Sequence, residues 1–188
     1  MSEQIEASDA GAGLSIRGME PSANDAAASA DMSEFISFAI GDDHYGVDIM
    51  AVREIKEWSN VTPLPKQPDY VRGVLNLRGV MVPIIDLRCR FGQGVTEATP
   101  MHIVIIVQIE GRQVGLMGDR VLDIVSFEAS KVQPVPKVAT GARNSFLSGL
   151  ITIDGAMIAL IDLPNLLAMQ PDDTVDLSAI KTKPASTT

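Results

Sequence analysis

The sequence predicts an all-β fold: two copies of one five-stranded unit, each a small curled sheet, packed against each other through a shared apolar face. Three observations carry this expectation. The stretch from Gly73 to Leu87 and the stretch from Gly149 to Leu163 share one grammar, two short apolar strands joined by a tight turn that ends in glycine. Other landmarks repeat in the same order, with Tyr45-Gly46, Val52 and Ile55 matching Val114-Gly115, Val121 and Ile124 at an offset of 69 residues. Val61, Pro63, Pro65 and Lys66 match Val132, Pro134, Pro136 and Lys137 at 71, and the closing hairpins match at 76. The offset grows in loops, where added length costs little. Residues 35–91 and 101–167 therefore read as two copies of one unit. Each has about five strands of five to seven residues between Gly, Pro and Asp turns, the pattern of a small antiparallel barrel. A copy of this length has a marginal core alone, so the two are expected to bury a common face.

Taken in order, residues 1–34 carry seven acidic side chains against Arg17 and almost no large apolar ones. Such a segment cannot bury enough surface to offset its ordering entropy, so it is expected to be a disordered acidic tail. The body begins near Phe35. Phe35–Ile40 and Tyr45–Ile49 read as a hairpin, and 50–58 as a helical turn passing into a strand. Val61–Pro68 holds three prolines in six residues and reads as an extended crossing segment with no ladder role. Asp69 is placed to cap a helical turn at Tyr70–Arg72. The 73–87 hairpin comes next. After a polar connector from Gly92 to Pro100 the pattern restarts, with strands at 103–109 and 113–116 and a closing helical turn at Leu163–Leu167. The compact domain is thus 35–168, with a barrel from about 35–91 and another from about 101–167, and 169–188 form a polar tail.

Composition excludes several function classes. Of the net charge of −9, the N-terminal tail contributes −6, and no basic face suits a phosphate backbone. One Trp and two Tyr are too few for a base-stacking platform, so no nucleic acid partner is expected. The single Cys89 excludes an internal disulfide and suits a reducing compartment. No apolar run approaches the roughly 20 residues that span a bilayer, and no basic start with an apolar stretch marks a signal peptide. A soluble cytoplasmic chain without membrane insertion is expected.

No catalytic constellation stands out. His44 and His102 read as isolated turn residues, not metal ligands, so neither a metal nor another cofactor is expected. Cys89 reads as a buried structural thiol. Asp86 and Asp162 occupy matching places, each ending a strand; acid–base work by the pair would require both to line one solvent-filled cleft. The informative feature is an asymmetry. The second hairpin turns on Asp154-Gly155, and both residue types tolerate positive φ. The first has Arg78 in the same place. Either Arg78 serves a partner, or it caps a carboxylate or covers apolar surface with its stem. Glu54 matches Asp123 and could pair with Arg78, edging an aliphatic groove that suits a partner helix.

The run from Phe38 through Tyr45-Gly46-x-Asp48-Ile49, Val52-x-Glu54-Ile55, Pro63, Gly73-Val74-x-Asn76-Leu77-Arg78-Gly79 and Pro83-Ile84-Ile85-Asp86-Leu87-Arg88 resembles the CheW family of chemotaxis coupling proteins. The resemblance covers roughly 35–167. It implies two SH3-like β-barrels about a common apolar core and no enzymatic activity. It implies an adaptor that joins the CheA histidine kinase to the cytoplasmic tips of methyl-accepting chemotaxis receptors. By position, Val52, Glu54, Gly73 and Arg78 fall on the receptor contact, and Ile55, Val61 and Leu64 fall where the kinase's homologous regulatory domain is expected. The second barrel would meet another such domain and extend a ring. The acidic tail departs from the family pattern. The reading from a different class is a stand-alone barrel that binds a peptide or small molecule.

Overall fold

The computed structural model describes residues 32–136 and 145–168; the expectations for the acidic tail before Met32, for Lys137 and for the tail from 169 lie outside them. The first copy supplies β1 (Met32–Ile40), β2 (Asp43–Asp48), β3 (Val52–Glu57), β4 (Val71–Leu77) and β5 (Val80–Asp86). The second supplies β6 (Ile103–Ile109), β7 (Arg112–Gly118), β8 (Arg120–Glu128), β9 (Leu147–Ile153) and β10 (Ala156–Ile161). A single helical turn closes each copy, α1 at Leu87–Arg90 and α2 at Leu163–Leu167. Three local expectations are corrected. Met32–Glu34 belong to β1, because backbone pairing with Ser126–Glu128 recruits them despite their polarity. Val71 and Arg72 open β4 in place of a helical turn. The proline-rich crossing segment makes one ladder pair, Thr62 with Val74.

The larger correction concerns how the copies assemble. Two five-stranded sheets form, but neither is built from one copy. Sheet A runs β8-β1-β2-β10-β9 and sheet B runs β3-β6-β7-β5-β4, so each takes the first two strands of one copy and the last three of the other. The short links explain this. β8 is antiparallel to β1 and thus runs in the sense of β2. For β3 to take that seat, the chain would have to return the length of β2, about 20 Å, before starting. Only Ile49–Ala51 joins β2 to β3, and three residues reach about 10 Å. In the second copy Asp119 alone joins β7 to β8. Both third strands therefore cross to the other sheet. The exchange also creates two parallel pairs, β2 with β10 and β5 with β7, where an all-antiparallel sheet was expected.

The core has three parts. The largest cluster joins the sheets and holds Phe38, Tyr45, Val47, Leu87, Ile105 and Leu116 among others, the shared apolar core that the sequence predicted. Each sheet has a smaller cluster of its own. Trp58, Val61, Leu75, Val82 and Ile84 belong to that of sheet B, and the matching Phe127, Val132, Ile151, Ile158 and Leu160 to that of sheet A. Full burial of one such side chain is worth about 1.5–3 kcal/mol. Asp86 and Asp162 keep equivalent jobs. Each caps its helical turn, accepting from the Cys89 and Asn165 amides at 3.1 and 3.0 Å. Asp86 is fully buried and also accepts from the Thr96 amide and hydroxyl, both at 2.8 Å. A carboxylate so occupied does not line a solvent-filled cleft, and the acid–base reading of the pair falls.

Candidate functional site

The seven residues singled out from the sequence all fall on sheet B or on the segment between β3 and β4 that packs on it. Val52 opens β3, half-buried against the shared core. A bulge comes next: Val52 pairs with Val107 and Glu54 with Ile106, leaving Arg53 unpaired. The extra residue re-aims the rest of the strand, and Arg53 itself turns outward to donate to Gln108 at 2.7 Å. Glu54 is half-exposed just after the bulge, in the strand's alternation of intermediate and exposed positions. Ile55 is 40% exposed on this edge strand. Val61 packs into the sheet B cluster, and Leu64 sits half-buried in the proline-rich segment. An open recess of about 560 Å³ lies along Glu54–Ser59.

Gly73 has a structural account. It is buried in β4 with φ of +134°, and a Cβ there would overlap the carbonyl group of Thr62. Only glycine allows the crossing segment to make its pair with Val74. Gly149 does the matching job against Val132 in sheet A.

The β4–β5 turn carries the asymmetry. Arg78 and Gly79 have φ of 51° and 89°, and Asp154 and Gly155 have 50° and 79°, so both hairpins use the same left-handed two-residue turn. Arginine gains nothing from its side chain in that conformation, which costs a residue with a Cβ about 1–2 kcal/mol. Arg78 is exposed, with Val80 and Met81 beside it at 50% and 40% exposure. It caps no carboxylate among the described residues. The expected pair with Glu54 is not formed: Glu54 faces Lys56 at 4.0 Å. Glu54 sits on β3 and Arg78 on the β4–β5 turn.

Sequence reasoning missed three features. Asn76 accepts the Gly79 amide at 2.8 Å and braces the turn from one side. Val121, Leu122 and Ile124 lie exposed on β8, the equivalent of β3 at the edge of sheet A. Asp119 ties the two sheets, accepting from the Gly41 amide and from Arg88, each at 2.7 Å. His102 is half-buried beside it, with Nε2 3.7 Å from Asp119, not the bare turn residue expected. Its Nδ1 accepts the Thr99 amide at 3.1 Å. The position matching Asp119 in the first copy, Met50, is apolar, so a search for repeated residues overlooks this cluster. Burial pushes the Cys89 thiol above its usual pKa, with Asp86 and Asp69 adding to the effect and Arg72 opposing it, as suits a structural thiol.

A second recess, about 440 Å³, lies on sheet A between Asp42, His44, Phe91, Leu150 and Met157 and holds none of the seven residues. Among the described residues no group of three His, Cys, Asp or Glu side chains could hold a metal. No helix there is long and apolar enough to cross a membrane.

Comparison with known proteins places this architecture. A family model described as a CheW-like domain matches residues 34–170. The chemotaxis protein CheW of Rhizobium meliloti is 43% identical over 133 residues, which are 71% of this chain and 86% of that protein. The chemotaxis protein CheW of Klebsiella aerogenes is 38% identical over 143 residues, covering 76% and 86%. Among solved structures, the scaffolding protein TtCheW of Thermoanaerobacter tengcongensis superposes with a TM-score of 0.67 at 32% identity, covering 73% of this chain and 89% of that one. Sequence and fold thus point to one place: the chain belongs to the CheW family.

Proposed function

We propose that this protein is a non-enzymatic adaptor of a bacterial chemosensory array, joining the cytoplasmic tips of methyl-accepting chemotaxis receptors to a CheA-type histidine kinase. One observation carries the reading: an exposed arginine held in a left-handed turn where its own duplicate has aspartate. Strain of this kind persists where the surroundings impose it, and it clusters at binding sites. Val52, Glu54, Gly73 and Arg78 form the receptor side. Val52 and Gly73 shape the sheet, and Glu54 and Arg78 display charge. Ile55 on the edge strand, with Val61 and Leu64 in the segment that follows it, receives the kinase's regulatory domain. The exposed Val121, Leu122 and Ile124 on β8 suit a second contact with a homologous domain, extending a ring.

Each sheet closes as an SH3-like barrel in this reading. Supporting this, the segment after β3 pairs with β4 through Thr62 and Val74, and the segment after β8 pairs with β9 through Gln133 and Leu150. The protein works in the cytoplasm beside the receptors' inner-membrane arrays, and it needs no cofactor. Relatives named as chemotaxis and scaffolding proteins support the assignment. The reading as a stand-alone ligand-binding barrel rests on the 440 Å³ recess of sheet A. Co-sedimentation of the full chain with receptor fragments and a CheA-type kinase tests the two. Capture of both, with a change in kinase activity, is expected; binding of neither overturns the proposal.

A further inference from the structure

We propose that Asn76 is a positioning residue for Arg78, and that its side chain replaces the turn preference lost where the first hairpin has arginine in place of aspartate. This rests on the reading of Arg78 as a docking residue. The two hairpins are a built-in comparison. In both, the first turn residue has φ near +50° and the second is glycine. In the second hairpin Asp154 favours this conformation by itself. The residue matching Asn76 there is Thr152. In the first hairpin Arg78 has no such preference, and the Gly79 amide donates to Asn76 Oδ1 at 2.8 Å. That bond spans Arg78: its two ends are the residue two before and the residue one after. It therefore fixes the peptide on both sides of the arginine and fixes the direction in which the guanidinium leaves the sheet.

The Leu77–Val80 pair closes the turn, and among the described residues Asn76 is its side-chain brace. Arg78 forms no ion pair there, and a Cβ placed on Gly79 would meet no atom within 4 Å. Val80 and Met81 are half-exposed beside it. Without the Asn76 bond the turn would still close between Leu77 and Val80, as the Glu110–Gly111 turn closes between Ile109 and Arg112 at φ of 48° and 79°, but the Arg78–Gly79 peptide would rock and spread the arginine over more directions. The partner would then have to select the competent one, and apparent affinity falls by the fraction of chains that present it. The partner this fits has a carboxylate at a fixed place on a rigid helical surface, since only a rigid partner gains from a pre-aimed cation.

A double-mutant cycle tests this, with a recombinant cytoplasmic receptor fragment as the probe and the full chain as the binder. Arg78→Ala is expected to weaken binding about tenfold. Asn76→Ala is expected to weaken it about fivefold, the worth of one net hydrogen bond. In the Arg78→Ala background, Asn76→Ala should cost nothing further. Asn76→Asp, which can accept the same amide proton, should restore most of the affinity. The backbone amide order parameters of Arg78 and Gly79 should fall in Asn76→Ala alone. If Arg78→Ala weakens binding while Asn76→Ala binds as the native chain, the positioning role is overturned and the docking role of Arg78 survives. If the Asn76→Ala loss persists undiminished without Arg78, Asn76 acts directly or through stability, and the proposal fails. If Arg78→Ala binds as the native chain, the docking reading itself fails and there is nothing for Asn76 to position.

Discussion

The two hairpins, β4–β5 and β9–β10, are the same structure with different burdens. They share turn geometry, a strand glycine under a crossing segment, and an aspartate that caps the following helical turn. They differ in which parts are reinforced. Asp86 is fully buried and holds three donors from two segments; Asp162 is half-buried and holds only Asn165. The crossing segment presents a carbonyl to Gly73, and to Gly149 chiefly a side chain. The first hairpin thus has the more rigid base and, at its tip, the less favourable turn residue. A stiff support under a strained tip is what a docking surface requires. The second hairpin has a turn residue that favours its conformation.

The comparison can be broken first at the level of the copies. A chain of residues 32–100 alone lacks the three strands that complete sheet A and the two that complete sheet B. It is expected to show no cooperative unfolding transition, and mixing with 101–168 should restore one. A folded fragment would mean that a copy can close its own barrel. The next largest effect lies at the paired glycines. Gly73→Ala meets backbone and should cost about 3 kcal/mol, whereas Gly149→Ala meets a movable valine and should cost about 1–2 kcal/mol. Denaturant titration of both variants checks the order. Third, Asp86→Ala strips three buried donors and should cost about 3 kcal/mol, against about 1 kcal/mol for Asp162→Ala as loss of a cap. Equal costs would remove the claim of a reinforced base. The smallest effect concerns Cys89, next to that base. Its raised pKa means that less thiolate is present at neutral pH than in an ordinary cysteine. Alkylation of the folded chain should therefore be slower than of the urea-unfolded chain, with the gap narrowing as pH rises past the usual thiol range.

Much of this was legible in the sequence, because local rules decided it. Glycine, proline and Asp-Gly landmarks in register gave the duplication, the hairpins and the two closing turns. The shared core followed from short strands that cannot bury their faces alone. What escaped was set by partners distant in the chain. Whether β3 pairs with β1 or with β6 leaves the alternation of apolar residues unchanged, so hydrophobic pattern cannot choose. The choice was still encoded in the three residues between β2 and β3, too few to return along a strand. The Glu54–Arg78 pair failed because a cation on Glu54's own strand, Lys56 two residues on and so on the same face, faces it instead. The importance of Asn76 was invisible because an exposed asparagine before a turn has many ordinary explanations. What singles it out is its bond to the Gly79 amide across a residue of left-handed φ.

The most direct test of the central claim is to give the first hairpin the turn residue of the second. Arg78→Asp in the full chain is measured by thermal unfolding and by affinity for a receptor cytoplasmic fragment. An unfolding midpoint equal to or above that of the native chain is expected, since aspartate favours the turn, together with affinity lower by about tenfold or more. Native affinity, or a chain that unfolds more easily, would contradict it.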